Sequence, residues 1–351
     1  MIDIKKIVSI FIVLNFMGCL EPNVEDLWSL SSEGTLETNG FARNVDFEGN
    51  TAFVAAGQSG VQIWDLTTQT QLQDFTGYIE GGTFLEFEDI ALIQRDSTNK
   101  IIFVAESNKD VKIFHYDSED SLTYRNTIMS AKTKDFISYP TSNDQFVMYS
   151  ADNDDGMKWH FYNLDTTEIF GIDFIEWTPF GGDEIYTPGK ALGVDSNGET
   201  RIAMAVDQMG VELFSMDSLG VAPTFVGRVN TEGNAEQVVL HNQGLFVSCD
   251  DAGAMYIPYS HFDTSRTPPL PIGLLEARFA KDLTVDHIAI NGNVAALSLG
   301  SKGIALYDIS DPSQPEEKGI FPIGYTYESQ FWDDQLVVCS RSGIQIFTIN
   351  N

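Results

Sequence analysis

The stretch GIALYDISDP, residues 303–312, opens on a glycine, sets Ile304, Leu306 and Ile309 around Asp308, and ends in a turn. GVQIWDLTT from Gly60 has the same form. Aligning the chain on the residue ahead of this apolar run finds seven copies: GVQIWD at Gly60, DVKIFH at Asp110, GMKWHF at Gly156, GVELFS at Gly210, GAMYIP at Gly253, GIALYD at Gly303 and GIQIFT at Gly343. Successive copies lie 40 to 54 residues apart. Self-similarity at that period marks a repeat architecture.

Two further short apolar runs precede each copy. The nearer set reads TAFVAAG, IIFVAES, QFVMYSA, RIAMAVD, LFVSCDD, AALSLGS and LVVCSRS. The farther set reads NVDFEGN, DIALIQR, DFISYPT, ALGVDSN, QVVLHNQ, HIAINGN and SQFWDDQ. A fourth, more variable run follows, as in LQDFTG and EEKGIF. Four short strands per unit, separated by turn residues, predict the blade of a β-propeller. The glycine suits a tight turn between second and third strands, where φ > 0 is often required. The third run is apolar at nearly every position (Val61, Ile63, Trp64, Leu66), as a sheet covered on both faces demands. An open row of such sheets would leave two apolar end faces, and a ring buries both.

The seventh unit stops after three runs, at Asn350 and Asn351, while a spare run, EGTLETN (residues 33–39), lies ahead of the first unit. The expected fold is therefore all-β: a seven-bladed β-propeller of four-stranded antiparallel blades over residues 33–351, closed by pairing of the N-terminal strand with the last blade. Cys249 and Cys339 fall at equivalent second-run positions of units five and seven, which are not neighbours. A disulfide needs Cα atoms within about 7 Å, so both are expected as free, buried thiols.

The N-terminus has a separate logic. Lys5 and Lys6 precede the apolar run IVSIFIVLNF and then MGC, the layout of an export signal. Residues 7–16 are shorter than the roughly 20 that a membrane-spanning helix needs. The stretch Phe16-Met17-Gly18-Cys19 resembles a bacterial lipobox. That resemblance implies removal of residues 1–18 as a lipoprotein-type signal peptide, acyl chains on Cys19, and an acidic tether over residues 19–32. At about 0.8 kcal/mol per buried methylene, two or three chains hold a protein to a bilayer almost permanently. Leu20 after the cysteine, rather than Asp, favours the outer membrane. The expected localisation is export and anchoring to a bacterial cell envelope.

GIALYDISDPSQPEEKG and ARNVDFEGNTAFVAAGQSGVQIWDLTT resemble the LVIVD repeat, a bacterial propeller unit of exported and surface proteins. The resemblance spans the mature chain. It is strongest in units one and six and weakest in three and five, where GMKWHFYNL and GAMYIPYSH stand in place of the usual phrase. It implies architecture and brings no general enzymatic activity with it.

Composition narrows the function classes. Asp and Glu number 51 against 20 Lys and Arg, a net charge of -31, with 43% hydrophobic residues for a large core. Such a surface repels nucleic acid. The five histidines (115, 160, 241, 261 and 287) show no metal-ligand spacing, and no HExxH, G-x-S-x-G or P-loop motif occurs. Among 51 acidic residues, carboxylate pairs arise by chance and do not signal a glycosidase. No catalytic residue, metal ligand or cofactor is assigned. A calcium ion would be sought at the acidic stretch DNDDG, residues 152–156, but the stretch fails the EF-hand spacing D-x-[DN]-x-[DN]-G at its first Asp.

Inner strands of a propeller start at one face, which also carries the turns between second and third strands and the links between blades. The alignment puts those starts at Asn44, Asp89, Asp135, Ala191, Gln237, His287 and Glu328, preceded by Arg43, Glu88, Lys134, Lys190, Glu236, Asp286 and Tyr327. Asn44, Asp89, Asp135, Gln237, Asp286, His287 and Glu328 are the channel-mouth candidates. Two readings stay open for them: a rim whose Asp side chains bind backbone N–H groups of adjacent blades, or a small polar or metal site around Asp89, Asp135, Asp286 and His287. Three links look long and aromatic: GYIEGGTFLEFED from Gly77, IEWTPFGGDEIYTPGK from Ile175 and FPIGYTYES from Phe321. They offer Tyr78, Phe84, Trp177, Phe180, Asp183, Tyr186 and Tyr325 as loop-binding candidates, or as caps on the blade interfaces. RTPPLPIG, residues 266–273, is placed in the opposite-face turn of unit five.

The expected function is a lipid-anchored binding or scaffolding module with a protein or carbohydrate ligand, attached to a membrane through its lipid and without a nucleic-acid partner. The alternatives are a lactonase-like or lyase-like propeller enzyme with a central divalent metal, and a structural or adhesion component of the envelope.

Overall fold

The repeated runs form strands as their turn chemistry requires. The computed structural model describes residues 27–75, 79–80, 83–84, 86–94, 99–106, 110–117, 121–128, 132–142, 144–262 and 277–351. Seven four-stranded antiparallel sheets follow in chain order. Their inner strands are Asn44–Glu48, Phe87–Gln94, Asp135–Ser142, Gly193–Ser196, Gln237–His241, His287–Asn291 and Thr326–Trp332. The seventh sheet takes its outer strand from the N-terminus: Ser29–Leu36 pairs with Gly343–Asn350, from Ser29 opposite Asn350 to Leu36 opposite Ile344. This is a seven-bladed β-propeller closed as the sequence predicts. The closing strand begins four residues ahead of the expected start, so residues 29–32, read as the end of the tether, are already strand.

In blades three and six the turn glycine takes a positive-φ conformation that leaves no room for a Cβ. In blade six the amide of Leu299 donates to Gly303 O at 2.9 Å across the turn, with Gly303 at φ 87° and ψ −128°. Blade three repeats this with Asp152 N to Gly156 O at 2.8 Å. A Cβ on Gly303 would collide with Phe321 O of the outer strand, and one on Gly156 with Ile185 O. The third strands lie flat under both neighbours: Val61, Ile63, Val111, Ile113, Val211, Ile304 and Leu306 are buried. Hydrophobic clusters sit between consecutive blades, as where Phe53 and Ile63 of blade one meet Ile102, Val104 and Phe114 of blade two.

Cys249 and Cys339 are buried free thiols. They are offset by one residue rather than equivalent, because Cys339 pairs with Glu328 where blade five pairs Ser248 with Gln237. That one-residue slip sends them to opposite interfaces: Cys249 packs between blades four and five, Cys339 between blades seven and one.

Blade three departs from the plan. Its third and outer strands, Met157–Ile169 and Ile172–Ile185, outrun the second strand, Gln145–Ala151, whose last partner is Asn163. Five further pairs, from Asp165 opposite Glu176 to Ile169 opposite Ile172, make a free two-stranded ribbon. At about 3.4 Å per residue it projects roughly 17 Å. Two short 3-10 turns, Tyr259–Phe262 and Gly300–Lys302, are the helical elements among the described residues.

Candidate ligand-binding channel

Strand register brings one residue of each inner strand to the same level. Asn44 faces Ala55, Asp89 faces Ala105, Asp135 faces Ala151, Gly193 faces Ala205, Gln237 faces Ser248, His287 faces Ser298, and Glu328 faces Cys339. The facing residue is small in every blade, which leaves the inner side chain free to lean toward its neighbour around the ring. Six of these seven are the residues expected at the channel mouth. The fourth is Gly193, not Ala191, which pairs outside the sheet with Asn153.

The polar members join into a belt. Asn44 Nδ2 donates to Asp89 Oδ1 and to Glu328 Oε2, each at 2.6 Å. Asp89 shares a side-chain hydrogen bond with Asp135. His287 Nε2 stands 3.3 Å from Glu328 Oε1 and 3.1 Å from Gln237 Nε2. Gly193 closes the gap between Asp135 and Gln237: a Cβ there would lie 2.7 Å from Glu236 O and 2.8 Å from Gln237 Cα. Inner-strand side chains also stitch each blade to the next. Val194 N donates to Asp135 Oδ2 at 2.8 Å, Leu240 N to Asp195 Oδ2 at 2.7 Å, and Ile288 N to Gln237 Oε1 at 2.9 Å. Backbone bonding across blades, one of the two readings of this rim, is thus what Asp135 and Gln237 do.

Burial sets the charge of the belt. Desolvation pushes the Asp135 carboxyl up to about 7, with repulsion from Asp195 adding to it. It pushes Asp195 up to about 6, and Glu328 well above the usual carboxylate range. Burial drives His287 down to about 3, so the imidazole is neutral. A neutral Glu328 can donate to the lone pair on Nε2 of a neutral His287, a contact that an ionised carboxylate could not make with that lone pair.

Above the belt, Glu236 is pushed up to about 7 by burial and then by Asp250, Asp207 and Asp286. Asp286 is raised by burial and by Asp250 and Asp251. The belt and the strands beside it enclose a central cavity of about 540 Å³. Its walls are rich in acceptors: Asp46, Asp89, Asp135, Asp195, Glu236 and Glu328, with Lys134 the one Lys or Arg among the described lining residues. Asn44, 8% exposed, has an Oδ1 with no hydrogen-bond partner. The opposite side of the rim is cationic and aromatic. Arg43 lies 4.3 Å over the Tyr327 ring and 3.3 Å from Glu86 Oε1. Arg341 lies 3.9 Å over Tyr325 and bonds Tyr327 Oη at 3.3 Å.

The remaining candidates scatter. The proposed metal set is divided: Asp89 and Asp135 are neighbours in the belt, His287 sits with Gln237 and Glu328, and Asp286 faces Asp250 and Asp251. No group of three or more His, Cys, Asp or Glu able to share a metal ion occurs among the described residues. In the acidic turn, Lys158 Nζ lies 3.2 Å from Asp152 and 3.3 Å from Asp155.

Of the aromatic links, the second is mostly strand. Trp177, 2% exposed, is core, with its Nε1 donating to His115 Nε2 at 2.9 Å and its ring 4.9 Å from that of Phe146. Phe180 and Asp183 are exposed on the outer strand of blade three, and Tyr186 follows it in the link on the mouth face. Tyr325 is at the rim. Phe84 belongs to the short strand Thr83–Phe84. Tyr78, Cys19 and residues 266–273 lie outside the described residues. Sequence reading missed Asp195 and Arg341. Asp195 stands two residues after Gly193 as Asp46 stands two after Asn44, and the frame set on Ala191 concealed that match.

Residues 284–322 match the family model of the LVIVD repeat. That LVIVD segment is blade six with the approach to its inner strand, ending one residue past its outer strand, Glu316–Phe321. It contributes His287 to the belt. The fold is shared with solved structures of low sequence identity. The computationally designed Ika8 protein aligns at TM-score 0.58 and 11% identity, covering 90% of this chain and 98% of that one. U3-55K aligns at TM-score 0.61 and 14% identity, with the same coverage. A search of curated proteins finds no match.

Proposed function

We propose that the protein is a binding module held to the cell envelope by a lipid on Cys19, and that its channel mouth receives a cationic, hydrogen-donating group, such as a Lys or Arg side chain offered by a protein partner. The supporting observation is the acceptor-rich cavity. Six carboxyl side chains and an unpartnered amide oxygen converge there, with Lys134 as the one Lys or Arg among the described lining residues. Burial and mutual repulsion keep several of these carboxyls from ionising. An incoming cation relieves that repulsion and lets them shed protons, so its affinity rises as pH climbs through 7.

The test is calorimetric titration with a short oligolysine peptide and, in parallel, a neutral oligosaccharide. The expected outcome is saturable peptide binding that is tighter at pH 8 than at pH 5.5. The double variant Glu236→Gln/Asp286→Asn abolishes it, whereas Asp165→Asn/Glu176→Gln, the same charge change on the distant ribbon, leaves it intact. Equal weakening by both pairs would reduce the effect to attraction by net charge and remove the proposal. Saturation by the oligosaccharide alone would replace the cation with a hydroxyl donor.

A further inference from the structure

The ribbon of blade three ends in an exposed apolar tip. Phe170 is 101% exposed, Ile172 61%, Phe174 53% and Ile169 45%. Phe170 and Gly171 form the turn, with φ of 53° and 77°. Because strand side chains alternate, Ile169, Ile172, Thr167 and Phe174 occupy one face of the ribbon and Glu168 the other. The tip is therefore two-faced, apolar on one side and acidic on the other.

Topology says which way it points. The turn between third and outer strands lies at the end of a blade opposite the channel mouth. The closing strand enters at that same end, since Ser29 pairs with Asn350 and Leu36 with Ile344 near the mouth-side turn. The described chain thus begins, at Leu27, on the face that carries the ribbon. From Cys19 to Leu27 is eight residues, at most about 29 Å when fully extended. A lipid on Cys19 keeps this face within that distance of the bilayer, and the ribbon's roughly 17 Å spans most of it.

We propose that the tip of this ribbon, Ile169, Phe170, Ile172 and Phe174, is a membrane contact that inserts shallowly into a zwitterionic lipid surface. It acts as a second foothold that orients the propeller with its mouth away from the bilayer. The proposal rests on the lipid-anchor reading for its geometry. The acyl chains on Cys19 fix the protein to the bilayer but leave it free to turn on its tether, and a second contact fixes its orientation. The acidic face and the net charge of -31 make a surface rich in anionic lipid the wrong partner.

The experiment uses the acylated protein in phosphatidylcholine vesicles. An environment-sensitive fluorophore is attached through Phe170→Cys or, as the mouth-face control, through Gln58→Cys in an exposed turn. The two native thiols in the fold are buried and leave the label at the chosen site. The expected result is a blue shift at position 170 and its quenching by lipids brominated along the acyl chain, with neither effect at position 58. Protein that floats with the vesicles while position 170 stays in water overturns the insertion and leaves the anchor standing. Protein that neither floats nor shifts overturns both. A blue shift at position 58 overturns the orientation.

Discussion

In blade six the third strand has five residues, Ile304–Asp308; in blade three it has thirteen, Met157–Ile169. Both meet their second strands in the same register, both turn on a glycine with positive φ, and both insert a bulge between third and outer strands. Blade six stops there, while blade three carries the same ladder past the edge of its sheet. The blade is therefore a core of about four to eight residues per strand, and length beyond it is free to serve another purpose. A bulge raises local twist, which lets the outer strand of either blade splay from the third without disturbing the packed interior.

The harshest way to break this comparison is at the shared turn. Gly303→Val and Gly156→Val place a branched side chain at positive φ and against an outer-strand carbonyl, Phe321 O or Ile185 O. Backbone strain and overpacking together cost about 3 kcal/mol or more. Chemical denaturation of the two variants should show similar large losses. A loss confined to blade six would mean that the long ribbon of blade three stabilises its turn independently.

Next in size is the point where blade three leaves the common plan. Trp177 lies under the base of the ribbon, against Phe146 and His115, and its backbone is clasped by Asn126 of blade two at 2.9 and 3.1 Å. Trp177→Ala should cost about 3–5 kcal/mol in thermal or urea unfolding. A value below 1 kcal/mol would show that the ribbon is not seated by this residue.

Trp177 also shows where reading the sequence succeeds and where it stops. The turn glycine and the flanking apolar runs recur because each blade must solve the same packing problem, so the number of blades and the closing strand were legible. Blade three's extension has no counterpart in the other six units, and an alignment built on repetition assigns unmatched residues to a link. Trp177 and Phe180 were accordingly read as loop aromatics. The belt was legible as a row of polar inner-strand residues because polarity at a strand start is unusual. Its wiring was not, since which side chain meets which depends on strand register and on Gly193 letting two backbones close together. Asp195 escaped for the same reason, through a two-residue frame error.

A smaller and pH-dependent effect separates the belt from the rest of the core. The folded-state carboxyls of Asp135 and Glu236 are raised to about 7, so their contribution to stability is full below about pH 4 and is lost as pH rises through 7. His287, lowered to about 3, acts in the opposite sense: its contribution is full above about pH 6.5 and is lost as pH falls toward 3. Between pH 6.5 and 8 the folded histidine is neutral and the unfolded one sheds only its remaining half-proton, so the two carboxyls together decide. The melting temperature should therefore fall on going from pH 6.5 to pH 8, and Asp135→Asn should flatten that slope. A slope that is unchanged in Asp135→Asn would assign the effect to Glu236 alone.

The gentlest perturbation sharpens the contrast most. Phe170→Ser and Ile172→Ser change side chains that touch solvent at the far end of the ribbon, and surface substitutions of this kind alter stability by about 0.5 kcal/mol or less. The unfolding midpoint should stay with that of the unaltered protein. The corresponding turn of blade six, from Ile309 to the outer strand, does not allow this freedom, because Ile309 is 1% exposed and its amide bonds Asn293 O at 2.8 Å. Ile309→Ser would leave a hole between blades five and six and cost about 2 kcal/mol or more. If the two tip substitutions were also costly, the ribbon would be folded back against the propeller in solution, and its apolar face would be part of the core rather than a surface held out for another partner.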